Sequence, residues 1–155
     1  MRLRSSPGHL VDNATSAKMI GVVRTLQLSR PNDCLAVMHA LTAIRSGDVL
    51  VVHTSGSMRA VEGGLFTTKA ARRGCRGLVV DCPIRDVEDL ACPTYSTLDV
   101  GTVQHPGDGT DIMPIVCGGV AVDPGDIIFG NGDGVIVGSA ESFDACINEA
   151  EKLCP

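Results

Sequence analysis

The sequence predicts a layered α/β domain built on a mixed sheet. Two observations carry that expectation. In the first half, β-branched apolar runs alternate with a helical apolar stripe, the strand–helix–strand order of a parallel crossover unit. In the second half, short apolar runs follow one another between Gly/Pro turns, as hairpin-connected strands do, before one closing amphipathic helix. With 155 residues, 44% hydrophobic and 20% charged, the chain has room for one such domain with a real core. Aromatics are only 3% and Trp is absent, so that core must be built from Val, Ile, Leu, Ala and Met.

Residues 1–18 lack periodicity and read as a loose lead-in to a single domain over 19–155. Met19 to Leu28 (MIGVVRTLQL) is β-branched-rich and predicts a strand. Pro31-Asn32-Asp33 starts a helix with Asn32 or Asp33 as N-cap. Leu35, Val37, Met38, Leu41 and Ile44 give its apolar stripe, and Gly47 its stop. Asp48 to His53 is a buried strand and Thr54 to Ser57 a loop. The next helix begins at Met58 or restarts at Gly63-Gly64, runs to Arg73 and stops at Gly74. Arg76 to Asp81 is a strand, Cys82-Pro83-Ile84 a loop, and Asp86 to Leu90 a short helical turn. Beyond Cys92, strands are predicted at 94–98, 112–117, 120–122, 127–129 and 135–137. HPGDGTD (105–111) is a loop, Pro124-Gly125 a turn, and GNGDG (130–134) a hairpin turn. The closing helix carries Phe143, Cys146, Ile147, Ala150 and Leu153 on one side.

Charge and cysteine usage narrow the function classes. A net charge of −5 argues against direct binding of nucleic acid through its phosphates, and the shortage of aromatics removes stacking platforms for bases. The charge is unevenly spread: residues 1–76 hold eleven Lys/Arg and four Asp/Glu, and 77–155 hold two and fourteen. The halves either attract one another, within or between copies, or form opposite solvated faces. Seven cysteines without CxxC or zinc spacing predict reduced thiols in a cytoplasmic compartment. No apolar run reaches the roughly 20 residues of a membrane span. The start, MRLRSSPGHL, lacks the apolar stretch of a secretory signal, though its composition suits a transit-peptide remnant.

Chemistry concentrates in residues 63–89. Gly63-Gly64-Leu65 opens a helix, where amides without intrahelical partners and the positive end of the dipole suit a carboxylate or phosphate. The plainer reading is a helix start packed closely on a neighbouring element. Arg85-Asp86 falls just beyond a strand end, where open α/β sheets place ligands. Arg85 offers a planar fork for a carboxylate, and Asp86 a hard oxygen for Mg²⁺ or Mn²⁺. The plainer reading makes Asp86 an N-cap and Arg85 a surface residue. Asp133 is a turn residue, and His9, His39, His53 and His105 show no zinc spacing. GxSxG, GxGxxG and the phosphate-loop motif are absent, so neither a serine nucleophile nor a nucleotide site is predicted.

The run PNDCLAVMHAL, GDVLVV, GGL and GCRGLVVDCPIRD, followed by VCGGVAVDPGD and NGDGVIVG, resembles the RraA-like family. That family joins 4-hydroxy-4-methyl-2-oxoglutarate aldolases with the regulators of ribonuclease activity A, and the resemblance spans roughly residues 19–138. It implies a swivelling β/β/α three-layer domain, assembled as a homotrimer or a hexamer. It also implies that Gly63, Gly64 and the amides of Leu65 and Phe66 bind the carboxylate of a small 2-oxo acid, with Arg85 as charged partner. Asp86 would ligate a divalent metal. Arg85 and Asp86 would be the catalytic pair. The chain departs from the family pattern at Gly64, where the aldolases tend to carry an acid that handles metal-bound water. Its start is also shorter, and the acid that aldolases borrow from a neighbour's C-terminal extension has no aligned counterpart, although Glu149 and Glu151 are nearby in sequence.

Two functions follow from the resemblance. One is a metal-dependent lyase that cleaves or decarboxylates a 2-oxo acid through a pyruvate enolate. The other is a non-catalytic regulator whose acidic 77–155 half masks a basic RNA-processing protein. Retention of Asp86 favours the lyase, since regulators of the family tend to lose it. The physiological substrate, and Mg²⁺ against Mn²⁺, stay open at this level.

Overall fold

A computed structural model describes residues 4–5, 11–12, 18–98, 110–111 and 113–153 of the protein. Strands are β1 (Arg4–Ser5), β2 (Val11–Asp12), β3 (Met19–Leu28), β4 (Asp48–His53), β5 (Gly77–Pro83), β6 (Thr94–Leu98) and β7 (Thr110–Asp111). The later strands are β8 (Ile115–Cys117), β9 (Val120–Val122), β10 (Ile127–Asn131) and β11 (Gly134–Gly138). The helices are α1 (Cys34–Ala43), α2 (Gly64–Arg72) and α3 (Ala140–Leu153), with a 3-10 turn at Val87–Asp89.

Among the described residues the main sheet runs β1-β11-β10-β3-β4-β5-β6-β2, with β7 added to the end of β3. The pairs β3/β4, β4/β5 and β5/β6 are parallel and the remainder antiparallel, so the sheet is mixed. The two helical connections between parallel strands, α1 and α2, lie on one face. There Leu26, Leu28, Val37, Leu41, Leu50, Val52, Phe66, Leu78 and Val80 form one core. On the other face the sheet curls around Met19, Val23, Val49, Val51, Val79, Tyr95, Ile128, Val135 and Val137. The β8–β9 hairpin closes that second core with Ile115, Cys117, Val120 and Val122. Hairpin, sheet and helices make up the three β/β/α layers.

Several element boundaries differ from the sequence expectation, each for a local reason. Asp33 is the N-cap of α1, its carboxylate accepting from Ala36 N at 3.0 Å. The helix stops at Ala43, well before Gly47, because the Asp48 carboxylate takes the Arg45 N–H at 3.0 Å and draws the chain out of helical geometry. Leu35 drops out of the apolar stripe and is half exposed, while Val37 and Leu41 are fully buried. The strand read as 76–81 extends through Pro83, and β10 extends to Asn131, so the hairpin turn contracts to Gly132-Asp133. The lead-in pairs with the sheet at Arg4–Ser5 and Val11–Asp12. Within HPGDGTD, Thr110–Asp111 pairs with β3 and residues 105–109 lie outside the described residues. The strand predicted from Ile112 is seen only over Ile115–Cys117, and Ile112 lies outside the described residues.

Candidate active site

β5 ends at Pro83, and the chain turns at Arg85-Asp86 back across the start of α2. Asp86 sits in the left-handed region at φ 56°, ψ 42°, a conformation uncommon for a residue with a side chain and tolerated best by Asn and Asp. That geometry turns its carboxylate onto the helix start, where Asp86 Oδ2 accepts from Gly64 N at 3.2 Å. Arg85 Nε lies 3.7 Å from the same oxygen, within ion-pair reach but beyond hydrogen-bond distance. This Nε is buried and has no hydrogen-bond partner among the described residues. Arg85 N donates to Glu62 O at 3.3 Å and Asp89 N to Asp86 O at 2.9 Å. Thr67 ties both segments together: its Oγ1 donates to Gly64 O at 3.0 Å and accepts from Ala91 N at 3.1 Å.

The paired glycines are required by this close approach. Gly63 is extended at φ −177°, a backbone any residue adopts, so its conformation does not call for glycine. A Cβ on Gly63 would lie 2.6 Å from Asp86 Oδ2 and 2.7 Å from Arg85 Cγ; on Gly64 it would lie 3.1 Å from Asp89 Cβ. The two glycines therefore let the 85–89 loop rest on the helix start.

The remaining predicted residues divide between site and core. The Phe66 N–H is engaged, donating to Gly63 O at 3.0 Å, and its ring is buried in the helix-side core. Leu65 projects outward, 67% exposed. Gly64 N is bonded to Asp86, which leaves the Leu65 N–H as the helix-start amide available to a bound anion.

A divalent metal is the cofactor implied for such a site, and the residues present fit one kind of binding. Among the described residues no group of three or more His, Cys, Asp and Glu is placed to hold an ion by itself. One partly exposed carboxylate oriented by a backbone N–H suits Mg²⁺ or Mn²⁺, which keep most of their ligands as water or substrate oxygens. The Arg85 Nε beside it is a buried donor without a hydrogen-bond partner among the described residues.

Two polar features near the strand ends escaped the sequence reading. Glu62, immediately before Gly63, is wholly buried, and neither carboxylate oxygen has a hydrogen-bond partner among the described residues. Burial pushes its pKa up to about 8, so it is protonated at neutral pH. Its signal was an acid in an otherwise apolar AVEGG run. At the ends of β4 and β5, His53 Nδ1 pairs closely with Asp81 Oδ2. Asp81 Oδ1 accepts from both Thr54 N and Thr54 Oγ1 at 2.7 Å. Only the parallel register of β4 on β5 brings these two together. Burial raises the Cys82 and Cys92 thiols to about 12, so both stay protonated at neutral pH.

Comparison with known proteins fits this architecture. Residues 2–137 match the RraA-like family described as Aldolase/RraA. A protein of Halalkalibacterium halodurans, provisionally named 4-hydroxy-4-methyl-2-oxoglutarate aldolase, is 34% identical over 140 residues, covering 87% of this chain and 66% of that protein. An Azotobacter vinelandii protein carrying the same provisional name is 39% identical over 97 residues, covering 59% of each chain. The chain thus spans about three fifths to two thirds of the length of these relatives. Among solved structures, Streptomyces coelicolor RraAS2, titled an unusual member of the RNase ES inhibitor RraA protein family, superposes with a TM-score of 0.82. It is 27% identical, and the match covers 96% of this chain and 79% of that one. On the match across residues 2–137 and the shared three-layer fold, this chain belongs to the RraA-like family.

Proposed function

We propose that this chain is a divalent-metal-dependent lyase that cleaves or decarboxylates a small 2-oxo acid to pyruvate, of the 4-hydroxy-4-methyl-2-oxoglutarate aldolase or oxaloacetate decarboxylase type. The observation that carries the reading is the convergence of Arg85 and Asp86 on the glycine-opened start of α2. The guanidinium, with a buried Nε lacking a hydrogen bond, pairs with the substrate carboxylate, and the Leu65 N–H at the positive helix end adds a second donor. Asp86 would hold the metal through the carboxylate oxygen that Gly64 does not engage. When bound, Mg²⁺ or Mn²⁺ supplies a Lewis acid for the keto oxygen. Arg85 then stabilises the negative charge that accumulates on the pyruvate portion as the carbon–carbon bond breaks.

A coupled pyruvate-release assay tests this on oxaloacetate and on 4-hydroxy-4-methyl-2-oxoglutarate, with Mg²⁺ and with EDTA. Turnover is expected with Mg²⁺ and not with EDTA. Arg85→Ala and Asp86→Ala should each lower kcat/KM by on the order of 100-fold or more. Full activity in either variant sinks the reading.

A second reading has its own support. Gly64 stands where the family's aldolases tend to carry an acid, and residues 77–155 carry fourteen Asp/Glu against two Lys/Arg. A regulator that binds a basic RNA-processing protein would use such a surface. Salt-sensitive co-purification with a ribonuclease or helicase, together with no metal-dependent turnover, favours it.

A further inference from the structure

We propose that the cleft between α1 and β3 is a second ligand site, built for a small organic anion: an apolar body bearing one carboxylate. The proposal does not depend on the lyase reading. The cleft reaches Leu50 in the first half of β4, whereas Arg85 and Asp86 follow the far end of β5, which runs parallel to β4.

The cleft has a volume of about 410 Å³, within the roughly 300–1,000 Å³ of small-molecule sites. Its floor is apolar. Leu26 and Leu50 line it from the sheet and Ile44 from the chain just beyond α1, and all three belong to the helix-side core. Ala40 and Ala43 are neighbours on one face of α1, and their short side chains leave the space open.

The other end of the cleft is basic. Arg24 pairs with Leu50 in the sheet register and so stands beside that floor. Its Nε donates to Asp48 Oδ2 at 3.0 Å, and the same oxygen accepts from Arg45 N at 3.0 Å. Asp48 is buried, so one acid fixes both the guanidinium of Arg24 and the backbone from which Arg45 projects. Arg24 Nη1 and Nη2 and the Arg45 guanidinium have no hydrogen-bond partner among the described residues. With Nε occupied, Nη1 and Nη2 form a fork that can grip a carboxylate in two parallel bonds. His39 borders the cleft as a further donor. Two guanidinium groups against one carboxylate leave a net positive charge, and an anionic ligand supplies the missing partner.

The end of α1 also borders the cleft, and helix-end carbonyls repel an anion. Cations from α2 already meet that end: Lys69 Nζ donates to Met38 O at 3.1 Å and Arg73 Nη2 to Thr42 O. Arg24 and Arg45 are therefore not needed there. An apolar floor beside a single fork selects the ligand class. Inorganic anions gain nothing from Leu26, Ile44 and Leu50, and uncharged apolar molecules leave the arginines unpaired.

Titration calorimetry on the full chain tests this with octanoate. Wild type should bind octanoate saturably, while octylamine, with the same body and the opposite charge, should give no saturable heat. Inorganic phosphate should bind on the order of tenfold more weakly or not at all. Arg24→Gln and Arg45→Gln should each raise the octanoate Kd about tenfold, the loss of one hydrogen bond between charged groups. Ala40→Leu should remove binding by filling the cleft, with far-UV circular dichroism unchanged. Should Arg24→Gln unfold, Arg45→Gln carries the charge test, because that residue is exposed. No saturable binding in wild type, octylamine or phosphate binding as tightly as octanoate, or variants that all bind like wild type overturns the proposal. The last result would place octanoate on the exposed apolar surface around Ile20 instead.

Discussion

Glu62 carries a neutral carboxyl group buried beside a core of apolar side chains and thiols. Its folded pKa of about 8 stands above the ordinary 4.5, so the folded state keeps a proton that the unfolded chain releases. Stability should therefore fall as pH rises from about 4.5 to about 8, by roughly 1.4 kcal/mol per pH unit at its steepest, and level off above that. Glu62→Gln, which keeps the shape without the titration, should flatten this dependence in urea unfolding at pH 5, 7 and 9. An unchanged slope would assign the effect to other groups. Next along the chain, Gly63→Ala puts a Cβ within 2.7 Å of both Asp86 Oδ2 and Arg85 Cγ. It should cost about 1–3 kcal/mol of stability and lower pyruvate release by more than stability accounts for, because it displaces the pair itself. The Gly-Gly and Arg-Asp pairs were legible from residue type and spacing. Glu62 was not, because an acid in an apolar run declares its burial only once the surrounding side chains have been placed.

The element that matters most is the 85–91 segment lashed to α2. Thr67 serves as the clasp, being fully buried and bonded at once to Gly64 O and Ala91 N. Thr67→Val keeps the volume but strands the Ala91 N–H, so a loss of about 1–3 kcal/mol is expected in chemical denaturation. If the clasp also orients the site, apparent Mg²⁺ affinity should weaken in the turnover assay while Phe66 and the helix core stay intact. Elements themselves were largely readable: β3, β4 and α3 follow from β-branched runs and a 3.6-residue stripe. The end of α1 was less so, because Asp48, the acid that captures the Arg45 amide, belongs to the following strand. The His53–Asp81 pair escaped for a related reason, since parallel register is set between strands and not along either one.

At the scale of the whole molecule, the curl of the sheet is the controlling feature. It brings Tyr95 of β6 against Gly130 of β10, strands separated by three others in the sheet order. A Cβ on Gly130 would lie 2.7–3.0 Å from the Tyr95 ring, and that ring is fully buried with nowhere to move. Gly130→Ala should thus cost about 1–3 kcal/mol, read as a lowered Tm, despite a backbone that alanine adopts readily. A neutral result would mean that the two ends of the sheet do not close on each other.

By itself the sequence determined the α/β class, the order of the longer strands and the helices, and the candidate residues that could grip an anion and a cation. It could do so because apolar periodicity, turn chemistry and side-chain type are local properties. Tertiary structure alone decided that Asp86 adopts a left-handed turn onto Gly64, that Glu62 is sealed from water, and that His53 meets Asp81 across parallel strands. Those outcomes depend on which distant segments come into contact, and so on register, curl and burial that no single stretch of chain encodes.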